Sequence, residues 1–200
     1  MTNIDICNMA LDKLGVQSIR SFEDSTTQAD MCKRYYDQAR KEVLRAHDWT
    51  FAKRDVALAL LDMKSGDWRY LYVYPRDCEK VITVYGEGQK GFYKGQMGYY
   101  DIFSPREELV VIGTDVGKAY LEYVYDAVNA DKFSSEFVSV LTFKLACAMN
   151  ALSASSGLLQ ENMSLYQDAL RRATASNKNE VKEMVCYTSS IMDARNGCHG

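Results

Sequence analysis

The stretch Ala119-Tyr120-Leu121-Glu122-Tyr123-Val124-Tyr125-Asp126-Ala127-Val128, with Ser134-Ser135-Glu136-Phe137-Val138-Ser139-Val140-Leu141 just beyond it, decides the fold. Its first seven residues are β-branched, aromatic or apolar, in the alternating order that sends successive side chains to opposite faces of a strand. After Val128 the spacing becomes helical. Phe137, Val138, Val140, Leu141, Phe143, Leu145, Ala146, Met149 and Leu152 recur at helical intervals, and Ser134 or Ser135 is placed to cap. This segment is apolar nearly all round, which predicts a central buried helix. One chain therefore carries both kinds of element, with the change of period near residue 127.

Upstream, the strand-like period extends back to about Lys53. Leu71-Tyr72-Val73-Tyr74, Val81-Ile82-Thr83-Val84-Tyr85 and Leu109-Val110-Val111-Ile112 are further β-branched or aromatic runs. Turn chemistry separates them: Pro75-Arg76-Asp77, Gly86-Glu87-Gly88, Ser104-Pro105, Gly113 and Gly117. Both prolines and most of the glycines fall in this region, as do ten of the fourteen tyrosines. The pattern predicts a small antiparallel sheet or barrel-like unit. A surface rich in tyrosine also offers stiff, amphipathic contact area of the kind used at interfaces.

Before residue 53 the reading is helical. Asn3 is a candidate N-cap, Ile4, Cys7, Ala10, Leu11 and Leu14 form a stripe, and Gly15 supplies the stop. Ile19 and Phe22 anchor the following loop. Ser25, Thr26 and Thr27 offer caps for a long helix to about Ala46, with the stripe Ala29, Cys32, Tyr36, Ala39, Val43 and Leu44. Lys33, Arg34, Arg40, Lys41 and Arg45 lie largely off that stripe and are expected to face solvent, with a subunit contact as the alternative. Trp49 and Phe51 suggest an extended stretch packed onto the helical core. A fourth helix is expected from about Leu159 to Asn177, carrying Met163, Tyr166, Leu170 and Ala173.

The predicted fold is thus α+β. A helical domain, 1–52 with 128–177, comprises one helix pair and then a second. A small antiparallel β-rich insertion, 53–127, interrupts it. The residues 178–200 form an extended C-terminal tail. This tail holds Val181, Met184, Val185, Tyr187, Ile191 and Met192 without a regular period, so it is expected to be mobile alone and ordered on a partner.

Bulk composition narrows the class. Hydrophobic residues make up 47% and charged residues 26%, enough to bury a core. A net charge of −3 argues against binding nucleic acid by phosphate neutralisation. No apolar run reaches the roughly 18–20 residues of a membrane span. The start, Met1-Thr2-Asn3-Ile4-Asp5, has neither the basic nor the apolar region of a signal peptide, so synthesis and folding in a cytosol are expected. In that compartment the six cysteines are not expected to pair. No C-x-x-C is present, and only Cys198-His199 is a local pair of zinc-type ligands, so no metal site is expected.

Motifs for chemistry are missing. There is no P-loop, no H-E-x-x-H and no G-x-S-x-G. Gly86-Glu87-Gly88-Gln89-Lys90-Gly91 matches a dinucleotide fingerprint only in its letters and reads as a hairpin loop. Glu107-Glu108 sits in a polar turn, without the apolar setting that tunes a catalytic acid. His47 reads as a helix C-terminal histidine beside Trp49. No catalytic residue, cofactor or metal is therefore predicted, and the chain is not expected to be an enzyme.

The order of several short strings resembles one family. Asn8-Met9-Ala10-Leu11-Asp12-Lys13-Leu14-Gly15, then Ile19, Phe22-Glu23-Asp24-Ser25 and Ala29, resembles the opening of phage tail tubular protein A and related head-to-tail adaptors. Tyr35-Tyr36-Asp37-Gln38-Ala39-Arg40, Trp49-Thr50-Phe51-Ala52-Lys53-Arg54, Trp68-Arg69-Tyr70 and Tyr74-Pro75-Arg76-Asp77-Cys78 follow in order. Tyr123-Val124-Tyr125-Asp126, Phe133-Ser134-Ser135-Glu136-Phe137 and Leu141-Thr142-Phe143-Lys144-Leu145-Ala146 resemble the second helical pair. Ser189-Ser190-Ile191-Met192-Asp193-Ala194-Arg195-Asn196-Gly197 is similar to the C-terminal end. The middle of the insertion, about Glu87 to Glu108, matches none of it.

The resemblance implies a virion protein at the head–tail junction. It would form a homo-oligomeric ring, commonly of twelve copies, between the portal protein and a distal tail or nozzle protein. DNA would pass through the channel without sequence-specific binding, and no membrane would be involved. The C-terminal segment would reach for the portal, with Tyr187, Ile191, Met192 and Arg195 as the contact residues. The alternative is a tail-associated protein that cleaves peptidoglycan.

Overall fold

The computed structural model describes residues 1–63, 65–88, 100–106, 109–153 and 157–176. The described residues are a mixture of helix and strand, with four helices and two small antiparallel sheets of three strands each. The chain divides into two compact units. One takes Met1–Val43 together with the chain from Asn129 onward, and the other is Leu44–Val128. The tail, 178–200, lies outside the described residues.

In the first unit, α1 spans Asn3–Lys13. Its cap is Thr2, one residue before the expected Asn3. The Thr2 hydroxyl accepts from the Asp5 amide at 3.2 Å, and the Asp5 carboxylate accepts from the Thr2 amide at 2.7 Å. Two orphan donors are satisfied reciprocally, which Asn3 could not do from inside the first turn. The Asp5 carboxyl is held below its usual range, chiefly by that backbone hydrogen bond. The stop behaves as expected. Gly15 takes φ +69°, its amide bonds to the Asp12 carbonyl, and the Val16 amide reaches back to Leu11. Ile6, rather than the expected Ile4, joins Cys7, Ala10, Leu11 and Leu14 in the core. Asn8 then fixes the loop. Its side chain donates to the Ile19 carbonyl at 3.0 Å and accepts from the Ile19 amide at 2.9 Å, and Ile19 is buried.

The second helix, α2, spans Thr27–Ala46 and is capped by the Thr26 hydroxyl on the Ala29 amide at 3.2 Å. All six stripe residues, Ala29, Cys32, Tyr36, Ala39, Val43 and Leu44, are buried. One of the five charges expected off that stripe lies on it. Arg40 is only 2% exposed, with Asp37 at 3.4 Å among its partners. It stands four residues after Tyr36 and three before Val43, so helical spacing carries it onto the stripe.

The third helix, α3, spans Ser135–Ala148. Ser134 is the cap, accepting from the Phe137 amide at 3.2 Å. Phe137, Val138, Val140, Leu141, Leu145, Ala146 and Met149 are buried, as the all-round apolar pattern requires. Phe143 is half-buried, with the Lys13 ammonium 5.6 Å from its ring. The Ser134→Ala variant should lose about 0.5–2 kcal/mol through the missing cap. Urea unfolding monitored by helical circular dichroism measures it, and an unchanged midpoint would show that the cap bond does not contribute.

The fourth helix, α4, covers 158–176. Of the four residues expected on its inward side, Tyr166 and Leu170 are half-buried and Ala173 is buried, and Met163 alone is exposed. Asn162 and Ala173 are buried, three turns apart, and Leu158, Leu165 and Ala169 lie on their side of the helix. Met163 is 43% exposed and Leu159 37% exposed. The apolar residues spread over more of the helix than one buried stripe, and Met163 falls on the outer shoulder.

Among its described residues the second unit holds six strands: β1 Lys53–Ala57, β2 Tyr70–Val73, β3 Cys78–Gly86, β4 Tyr100–Arg106, β5 Leu109–Thr114 and β6 Ala119–Tyr125. One sheet has the order β1-β6-β3, the other β2-β5-β4, and every pairing is antiparallel. All four runs identified from sequence are strands. Tyr72 and Ile112 of one sheet pack with Val84, Ala119, Leu121 and Tyr123 of the other to form the core between them. Each fully buried Leu or Ile contributes roughly 1.5–3 kcal/mol.

Three expectations fail in this unit. Thr50–Ala52 forms a 3-10 turn in place of an extended stretch, closed by the Ala52 amide on the Trp49 carbonyl at 3.0 Å. Trp49 itself is buried and Phe51 half-buried. Ser104-Pro105 lies within β4 rather than in a turn. Among the described residues β4 is an edge strand, where a proline's missing donor costs no ladder bond, and the register shifts between Phe103 and Arg106. Gly113, expected in a turn, lies within β5. The loop expected over Gly86-Glu87-Gly88-Gln89-Lys90-Gly91 falls partly outside the described residues. Gly88 takes φ +74°, and residues 89–91 lie outside the described residues.

The chain leaving β1 passes from one sheet to the other. Through Leu58, whose amide bonds to the Ala119 carbonyl at 2.8 Å, the chain of β1 pairs with β6. From Ala59 it pairs with β2 instead. The Val73 amide bonds to Ala59 at 2.9 Å, the Leu61 amide bonds to Leu71 at 2.8 Å, and Leu60 bridges Tyr72.

Candidate functional site

The residues predicted to touch the portal, Tyr187, Ile191, Met192 and Arg195, all lie outside the described residues, as do Glu107 and Glu108. What the described chain offers must be built separately in each unit.

In the helical unit, α2 and α3 carry an open cleft of about 310 Å³. Tyr35, Gln38, Ala39 and Glu42 come from α2, and Lys144, Cys147 and Ala148 from α3. The wall is an ion pair, Lys144 Nζ to Glu42 Oε2 at 2.6 Å, both partly exposed. Gln38 donates to the other Glu42 oxygen at 2.9 Å. The Lys144 ammonium also sits 5.5 Å from the Tyr166 ring on α4. The carboxylate thus meets these two donors within the cleft. The Glu42 hydrogen bond is the main reason the Lys144 pKa is raised, against the opposing effect of burial. Burial raises the Cys147 thiol, which disfavours the reactive thiolate, and Lys144 offsets this only in part.

This shift has a sign in pH. A lysine whose folded pKa is raised stabilises the fold below its unfolded value and loses that contribution as pH rises through the folded one. Wild type should therefore lose more stability than Lys144→Gln as pH rises above the ordinary lysine pKa of about 10.4. Thermal unfolding across that range measures it, and parallel profiles would remove the pair as a contributor.

Exposed apolar side chains are the second feature. Leu159 and Met163 stand one turn apart on α4, and Leu60, Val73, Ile102 and Val110 are exposed in the β unit. Three of the tyrosines that offer contact surface by composition are turned inward instead. Tyr72, Tyr85 and Tyr123 are buried, and their hydroxyls are committed internally. Tyr72 donates to the Val116 carbonyl at 3.0 Å, Tyr123 to Asp77 at 3.1 Å, and Tyr85 to Asp55. A buried phenol must find a partner, and here the sheet supplies it. Burial raises the pKa of Tyr85 and Tyr123, followed for Tyr85 by the Asp55 bond.

The corner between β2 and β3 is pinned. Arg54 pairs with Asp77 and lies 3.7 Å over the Tyr125 ring, while the Asp126 amide bonds to the Asp77 carbonyl at 2.7 Å. Pro75-Arg76-Asp77-Cys78 therefore has a structural role in closing the end of the sheet. Register also sets Asp55 directly opposite Glu122. Like charges so placed repel, and the Tyr85 hydroxyl on Asp55 offsets this. Sequence reading missed this pair because only strand pairing brings the two together.

His47 lies just past the end of α2, its ring edge-on to Trp49 with centroids 5.0 Å apart. Cys7 and Cys32 are buried in the helical core, and Cys32 Sγ lies 3.6 Å from Met149 Sδ. Cys7, Cys32, Cys78 and Cys147 are free thiols. Among the described residues no three His, Cys, Asp or Glu side chains are grouped as metal ligands, and no helix is long and apolar enough to cross a membrane. No protein-family model matches the chain, and no curated protein matches it.

Proposed function

We propose that this chain is a structural head-to-tail adaptor of a tailed bacteriophage, a non-enzymatic subunit of a ring that joins the portal vertex to the tail. The observation that carries the reading is the ordered series of strings from Asn8-Met9-Ala10-Leu11 to Arg195-Asn196-Gly197, spaced as in the tail tubular protein A family. In this reading the helical domain is the frame, the β-rich region is an insertion into it, and residues 178–200 are the portal contact through Tyr187, Ile191, Met192 and Arg195. The ring holds twelve copies in the virion, meets a distal tail or nozzle protein on its other side, and passes DNA without sequence-specific binding.

The physical chemistry agrees with that use. A ring needs two unlike faces on each subunit. Exposed Leu159 and Met163 on α4, and Leu60 and Val73 in the β unit, supply apolar surface of the kind that association buries. The net charge of −3 suits a channel that DNA must leave freely.

The test is mass in solution, with and without purified portal rings, for the full chain and for a chain lacking Ser189–Gly200. The full chain should be monomeric alone and multimeric on the portal. The shortened chain should keep its circular dichroism spectrum and bind the portal at least about tenfold more weakly, the loss typical of removing central contact residues. A full chain that ignores the portal would sink the adaptor reading. Undiminished binding after the deletion would remove the tail assignment alone.

A further inference from the structure

We draw no further inference here: the strongest candidate, the open cleft between α2 and α3 in the helical unit, carries nothing, because its charged pair, Glu42 and Lys144, is satisfied within the cleft and nothing in the structure shows what covers it.

Discussion

Replacing Phe137 with alanine should destabilise the protein by about 3–5 kcal/mol, the usual cost of emptying a fully buried aromatic site. Phe137 has no solvent exposure, and its ring meets Phe133 edge-on with centroids 4.7 Å apart. The truncation removes both the transferred apolar area and that contact. It sits on the first turn of α3, whose amide at Phe137 also receives the Ser134 cap, so local relaxation is restricted. Thermal melting should fall by roughly 6–20 °C, given about 2–4 °C per kcal/mol for a chain of this size. Phe143→Ala is the comparison. Phe143 is on the same helix but only half-buried, so its loss should be clearly smaller. Equal costs for the two would mean that the buried direction of α3 has been assigned wrongly.

The second large effect is expected at Gly113 in β5. A Cβ added there would lie 2.8 Å from Trp68 Cγ and 2.9 Å from Phe103 Cε1. Real Cβ atoms do not approach so closely, so the Trp68 ring must move as a body. Moving it also strains or breaks the bond from Trp68 Nε1 to Asp101, now 3.2 Å. Gly113→Ala should therefore cost about 1–3 kcal/mol, the range for overpacking a filled site. Trp68 is one of two tryptophans, and its fluorescence should shift to the red as the ring gains water. Gly117→Ala serves as the control. Its Cβ would meet Tyr70 at 3.5 Å, an ordinary contact, and should change stability by no more than about 0.5 kcal/mol. If Gly113→Ala proved as mild as Gly117→Ala, with no spectral shift, the ring would not be seated on that glycine.

What could be read from the sequence was whatever is decided within one element. The stripe on α2 and the all-round burial of α3 follow from spacing along a single helix. So does the stop at Gly15. The four apolar strands announce themselves by composition. The failures share one cause, dependence on a distant partner. β1 has charged residues at Arg54 and Asp55, and it is a strand because β6 accepts its ladder. β4 keeps Pro105 because, among the described residues, it stands at an edge. Tyrosine content could not say which hydroxyls would be used up inside the sheet, since Asp55, Asp77 and Val116 come from other segments. The cleft joins α2 to α3, two helices separated by the whole β unit, and no local pattern marks it. On α4 the face carrying Tyr166, Leu170 and Ala173 follows from spacing, and Met163 alone of that stripe stays outside.

The chain leaving β1 changes partner between Leu58 and Ala59, so one continuous peptide passes from one sheet to the other. Neither sheet can release that segment without disturbing the other's ladder. In amide hydrogen exchange the inner amides of β5 and β6 should open together, with one common free energy, although they belong to different sheets. A single backbone nick between Leu58 and Ala59 would divide that segment. It should then let the sheet containing β2 exchange faster than its former companion, turning one cooperative unit into two.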